Sequence, residues 1–208
     1  MDADPIMLNL RRRLRDDIDP GRAGTFWSDQ ELLLAINAAQ DIVTGKLLSL
    51  GRIDSLSRLR RTISLTTSQP QPLPADYLHA VSARVLEPEA RGCRLLLGAP
   101  GLHFAARHAA YVAHVSGPTI TVHAGPGETV AGELVYLARP APVLPAQHPD
   151  FDAREDFSRT LYQCIEEAAV FLAALKATDT RLAARAHGRT KHLLLRAAHE
   201  GGLMEIGA

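Results

Sequence analysis

The chain has 208 residues, 46% hydrophobic and 22% charged, with 23 Lys plus Arg against 23 Asp plus Glu. That length supports one good core, or a core plus an inserted module. A net charge of zero argues against a generic nucleic-acid or membrane-surface binder, which carries a basic excess, and no apolar run reaches the ~18 residues needed to span a bilayer.

Residues 5–16 read as a first helix, with Pro5 in its first turn and Ile6, Leu10 and Leu14 on one face. Arg11, Arg12, Arg13 and Arg15 read as a solvated face with ion pairs, offset by Asp16, Asp17 and Asp19. Asp19-Pro20-Gly21 breaks the helix. The chain is then organised around Phe26-Trp27-Ser28-Asp29-Gln30-Glu31-Leu32. Ser28 is a good N-cap, Glu31 completes a capping box, and Trp27 with Leu32 has the spacing of a hydrophobic staple. From there Leu32, Leu33, Ile36, Ala39, Val43 and Leu47 draw one apolar stripe towards Leu50, with Gly51 as the stop. Burying such side chains contributes ~1.5–3 kcal/mol for each large one before entropy, so the stripe needs a partner.

Residues 54–61 read as a further helical turn or two. The period then changes from 3.6 to 2. Strands are expected at 62–67, 79–86, 93–97, 110–115, 119–123 and 130–137, the last being the strongest, with 93–97 the hairpin partner of 79–86. Proline punctuates the links at 69–74 and 139–145, and 100–107 suits a single helical turn. A second long helix is expected from near Asp152 or Arg154. Its stripe is Phe157, Leu161, Cys164, Ile165, Ala168, Phe171, Leu172 and Leu175, which should face the Trp27 helix. Thr178-Asp179 reads as a stop and recap. A last helix from about Arg181 to His199 carries Arg185, Arg189, Lys191 and Arg196 beside Leu193, Leu194 and Leu195, and Gly201-Gly202 should end it.

The expected fold is α+β and mainly helical: an antiparallel helix bundle interrupted by an inserted small β-sheet or partial barrel. The expected divisions are 1–61 and 146–180 for the two halves of the helical core, 62–145 for the β module, and 181–208 for a C-terminal helix and tail. Trp27, Ser28, Glu31, Leu32, Ile36, Phe157, Leu161 and Phe171 are the expected core and fold-defining residues.

No pattern carries catalysis. Gly125-Pro126-Gly127 lacks a backbone donor that a phosphate cradle needs. His103, His108 and His114 lack the four-residue spacing that aims two imidazoles at one ion from a helix, as do His187 and His192. Cys93 and Cys164 make no disulfide framework and suit a reducing compartment, and Cys164 lies on an apolar stripe where a thiol is inert packing. Glu155 with Asp156, and Glu166 with Glu167, are neighbours on a helix and point ~100° apart, so neither pair converges on one bond. No metal, cofactor or enzymatic activity is expected.

The order of features resembles the adaptor, or head-to-tail connector, proteins of tailed bacteriophages. The matching segments are Phe26–Leu32, then Ile36-Asn37-Ala38-Ala39-Gln40, then Leu73-Pro74-Ala75-Asp76-Tyr77-Leu78 leading into a strand. Next come Val135-Tyr136-Leu137-Ala138-Arg139-Pro140-Ala141-Pro142-Val143 and the helix Asp156–Tyr162. Each segment is short, and the ordered set over about residues 8–175 carries the likeness. The second aromatic and second proline of the family's exit motif are missing after Tyr136, and nothing aligns beyond Leu182.

The resemblance implies a non-catalytic virion protein of the neck, assembled in the bacterial host cytoplasm. It would form a ring, usually of twelve subunits, under the portal protein, and extend the channel towards tail or nozzle proteins. Passing double-stranded DNA would meet it without sequence-specific binding, and no membrane partner is implied. Balanced charge agrees: residues 1–61 carry ten basic and nine acidic groups, 62–149 five of each, and 150–208 eight and nine. A wall that captures no phosphates adds no drag. The basic last helix, with Arg185, Arg189, Lys191, Leu194, Arg196 and Leu203, is expected to dock on the portal because it has no evident partner in the chain. The competing readings are a nucleic-acid-binding module using Arg11–Arg15, Arg58–Arg61 and the last helix, and an envelope-degrading hydrolase used during entry into the host.

Overall fold

The computed structural model describes residues 5–14, 27–66, 69–87, 91–97, 111–124, 129–143 and 157–203. The fold is mixed helix and sheet, divided into two compact units. Residues 1–58 with 140–208 form a helical unit, and residues 59–139 form a β unit. The chain crosses between them after Arg58 and after Arg139, against sequence boundaries at 61 and 145. Both differences have a local reason. Arg60 and Arg61 already pair with strand residues Leu137 and Tyr136, and Val143 is hydrogen-bonded to Asn37 within the helical unit.

The helical unit contains α1 (Pro5–Arg13), α2 (Asp29–Ser49), α3 (Arg159–Lys176) and α4 (Thr180–Leu203), with a 3-10 segment at Ile53–Leu59. All six stripe residues of α2 are buried, as are Ile6, Met7 and Leu10 of α1. Helix α3 packs against α1, α2 and α4. That threefold contact changes its buried face. Leu161, Cys164, Ile165 and Ala168 are buried as expected, but so are Ala169, Val170, Ala173 and Ala174, whereas Phe171 and Leu172 are only partly covered and Leu175 is 51% exposed. A single stripe serves one neighbour; three neighbours use the alanine flank, where backbones approach closely.

Helix α2 ends as its glycine predicts. Gly51 takes φ +68°, its N–H donates to the Leu48 carbonyl, and the Arg52 N–H donates to Leu47. This is a Schellman closure. Helix α3 closes identically, with Thr178 and Asp179 donating to Leu175 and Ala174, but the left-handed residue is Thr178 at φ 57°. Asp179 then caps α4 by accepting the Leu182 N–H at 2.9 Å. The stop expected at Gly201-Gly202 does not occur: α4 runs through both to Leu203. Glycine costs ~1 kcal/mol in a helix without forbidding it.

In the β unit the strands are β1 (Arg60–Thr66), β2 (Gln71–Pro72), β3 (Tyr77–Glu87), β4 (Arg91–Leu97), β5 (Val112–Ser116), β6 (Thr119–His123) and β7 (Ala131–Ala138). Their order is β1-β7-β3-β4-β5-β6-β2, antiparallel throughout except for the parallel β4–β5 pair. Strand β7 is flanked on both sides, by β1 and β3, and its Leu134, Tyr136, Leu137 and Ala138 are all covered. It pairs with β1, so the first and last strands of the unit lie side by side. A segment whose ends meet can be inserted between two helices without disturbing either.

Candidate functional site

Three clusters of polar contacts involve the residues that carry the sequence resemblance. The first is the start of α2. The Ser28 N–H donates to Glu31 Oε2 at 3.0 Å, and the Glu31 N–H donates back to Ser28 Oγ at 3.2 Å. Lys176, from the last turn of α3, forms an ion pair with Glu31, and its Nζ lies 5.4 Å from the Trp27 ring centre. The Lys176 ammonium, followed by the Ser28 backbone N–H, holds the Glu31 carboxyl down from 4.5 to about 2. Arg11 of α1 closes the cluster, bonding the Trp27 carbonyl at 3.0 Å and Asp29 at 2.5 Å. Lys176 was not singled out in the sequence. It lies 145 residues from Glu31, and no local pattern marks it.

The second cluster lies where the chain enters β3 and leaves β7. Tyr136 donates its hydroxyl to Asp76 Oδ1 at 3.1 Å, and the Arg139 N–H donates to the Asp76 carbonyl at 2.6 Å. The rings of Tyr77 and Tyr136 stack at 5.8 Å. Burial, reinforced by Asp76, pushes the Tyr136 phenol up. In the third cluster Asn37 of α2 binds the backbone of Val143 at both ends: Nδ2 donates to its carbonyl at 3.1 Å and Oδ1 accepts its N–H at 2.7 Å. One side chain thereby fixes the residue leading away from the β unit.

Among the expected core residues, Trp27, Leu32, Ile36, Phe157 and Leu161 are buried. Phe157 is not part of the α3 stripe. It precedes the N-cap Ser158, whose Oγ accepts the Leu161 N–H at 3.4 Å, so it holds the place before the cap that Trp27 holds before Ser28. The sequence start near Asp152 or Arg154 lies outside the described residues, as do Asp16, Asp17, Asp19 and the segment 100–107. The Phe171 and His187 rings lie 5.0 Å apart, tilted by 33°.

Helix α4 does have a partner in the chain, contrary to the expectation. Ala183, Ala186, Leu194, Ala197 and Ala198 are buried, and α4 packs along α3. Leu194 is therefore part of the core and not of a docking face. Its neighbour Leu195 is 67% exposed, because one residue rotates a helical position by ~100°. Arg189 reaches the buried Glu167 at 3.6 Å, and Glu167 also pairs with Arg13. Arg196 pairs with Glu200 at 2.8 Å, while Arg185 and Lys191 are exposed and Leu203 is the last helical residue.

No cluster of three or more His, Cys, Asp or Glu side chains assembles among the described residues. His114 and His123 do meet, at 6.4 Å, which sequence spacing did not suggest. The signal was the hairpin register: Ser116 pairs with Thr119, so His114 faces Thr121, His123 faces Val112, and both imidazoles share a face. Burial, then His114, pushes the His123 imidazole down. Cys164 is buried and donates to the Thr190 carbonyl at 3.6 Å; burial, then Glu167, pushes its thiol up to about 12. No described helix is long and apolar enough to cross a membrane. No protein-family model matches the chain, and no curated protein matches it.

Proposed function

We propose that this chain is a structural virion protein, a ring-forming adaptor of a tailed bacteriophage that joins the portal to the tail and extends the DNA channel. The helices form an antiparallel bundle carrying the β unit, twelve copies close the ring, and the far side receives tail or nozzle proteins. It works without a cofactor and without catalysis.

The observation that carries this reading is the way the resembling segments are tied together. Asp76, from the Leu73–Leu78 segment, holds Tyr136 and Arg139 of the exit segment, and Asn37, from the Ile36–Gln40 segment, holds Val143 at that segment's end. The first tie sits where β3 and β7 pair, and the second spans 106 residues of chain. Electrostatics supports the same side. Of the arginines a nucleic-acid module would use, Arg11 and Arg13 are bound to Asp29 and Glu167, and Arg58 to the Phe157 carbonyl. On α4, Arg189 and Arg196 are likewise paired, with Glu167 and Glu200, and Arg185 on the same side provides the portal-facing charge, with Lys191 ~120° away from it.

Negative-stain imaging of the protein mixed with a portal ring tests the proposal. An added ring of density under the portal is the expected result, and portals that stay bare at saturating protein overturn it. Duplex titrations across a salt series separate the alternative: a channel wall binds weakly with a shallow slope, a nucleic-acid module tightly with a steep one.

A further inference from the structure

The helical unit has an apolar groove of about 420 Å³ between α2 and α4, floored by α3 and lined among others by Ile42, Lys46, Ala168, Phe171, His187 and Lys191. Its charged lining is entirely basic, and no ion pair engages Lys46 or Lys191 among the described residues. Ile42 is 51% exposed at its edge, and Leu175, four residues beyond Phe171 on the same side of α3, is exposed as well. A helix with apolar residues on its outer side marks a surface that something covers.

The β unit offers a complementary pair of exposed side chains. Leu86, at the end of β3, is an exposed large hydrophobic side chain of that unit. The exposed Glu87 follows it, with no ion pair among the described residues. We infer that Leu86 and Glu87 of one copy seat in the α2–α3–α4 groove of the next, with Leu86 against Ile42 and Phe171 and Glu87 paired with Lys191. This inference rests on the ring reading and gives the contact that closes it. The two sides of the contact are built from different residues, so the contact is head-to-tail, the kind that closes into a ring when its rotation divides a full turn. Opposite charges fix its register and exclude the reversed arrangement, which would set the basic groove against another basic groove.

A charge-swap cycle followed by sedimentation velocity and mass photometry of the full chain tests this. Glu87→Lys and Lys191→Glu are both at exposed positions and leave the fold intact by circular dichroism. Each alone should weaken self-association roughly tenfold or more, and the double variant should recover most of the loss. Leu86→Ser should weaken it similarly without rescue by any charge change. Assembly unchanged by all three single variants, or a double variant no better than the worse single, overturns the groove contact while leaving the ring. A wild-type chain that stays monomeric at millimolar concentration, alone and with portal, overturns both.

Discussion

Lys176 Nζ stands 5.4 Å from the centre of the Trp27 ring while it forms an ion pair with Glu31 in the first turn of α2. The end of α3 is thus fastened to the start of α2 by one side chain that makes both a cation–π contact and a salt link. The capping box reinforces it, since the Glu31 carboxylate that accepts Lys176 also accepts the Ser28 N–H.

That arrangement has a pH signature. The Glu31 pKa falls from 4.5 to about 2 on folding, so its contribution to stability is full above pH 4.5 and is lost as the pH drops from there towards 2. Lys176→Met should move the Glu31 carboxyl titration, followed by NMR, upward but not back to 4.5, because Ser28 still donates. A titration unchanged by Lys176→Met would show that the lysine has no part in it.

Two helix ends make opposite predictions. A β-branched residue in the left-handed region costs ~1–2 kcal/mol, so Thr178→Gly should stabilise the protein by up to ~1 kcal/mol after its added unfolded-state entropy. Gly51→Ala, at φ +68°, should destabilise it by ~1 kcal/mol. Urea unfolding of the two variants reads both signs.

Asn37→Ala leaves the Val143 N–H and carbonyl without their side-chain partner, which costs ~1–3 kcal/mol. Asn37→Asp keeps the acceptor for the N–H but sets a carboxylate oxygen against the Val143 carbonyl, and should cost at least as much as the alanine change at neutral pH. Tyr136→Phe removes only the bond to Asp76 and should cost ~1 kcal/mol. Thermal melts of the three variants against wild type check these costs.

Gly132 of β7 sits against the backbone of β3: an added Cβ would lie 2.7 Å from the Arg84 carbonyl oxygen. Backbone cannot step aside as a side chain can, so Gly132→Ala should cost ~1–3 kcal/mol. Gly188, with nothing within 4 Å of an added Cβ, should instead gain up to ~1 kcal/mol from the same change in mid-helix. Chemical denaturation of the pair checks both.

What the sequence determined by itself is local. Ser28 and Glu31 mark a helix start through hydrogen bonds within four residues, Gly51 marks its end, and the shift from period 3.6 to period 2 near Thr62 marks the change from helix to strand. Such features depend on neighbours in the chain, so they survive being read without a fold. The tertiary structure decided the rest. It turned α3 to expose Leu175 and bury Val170, gave α4 a partner and Leu194 a core position, and joined His114 to His123. It also brought Asn37 to Val143, 106 residues apart. Each of these depends on which distant surface arrives beside a residue, and hydrophobic periodicity fixes that a face is buried without fixing what buries it.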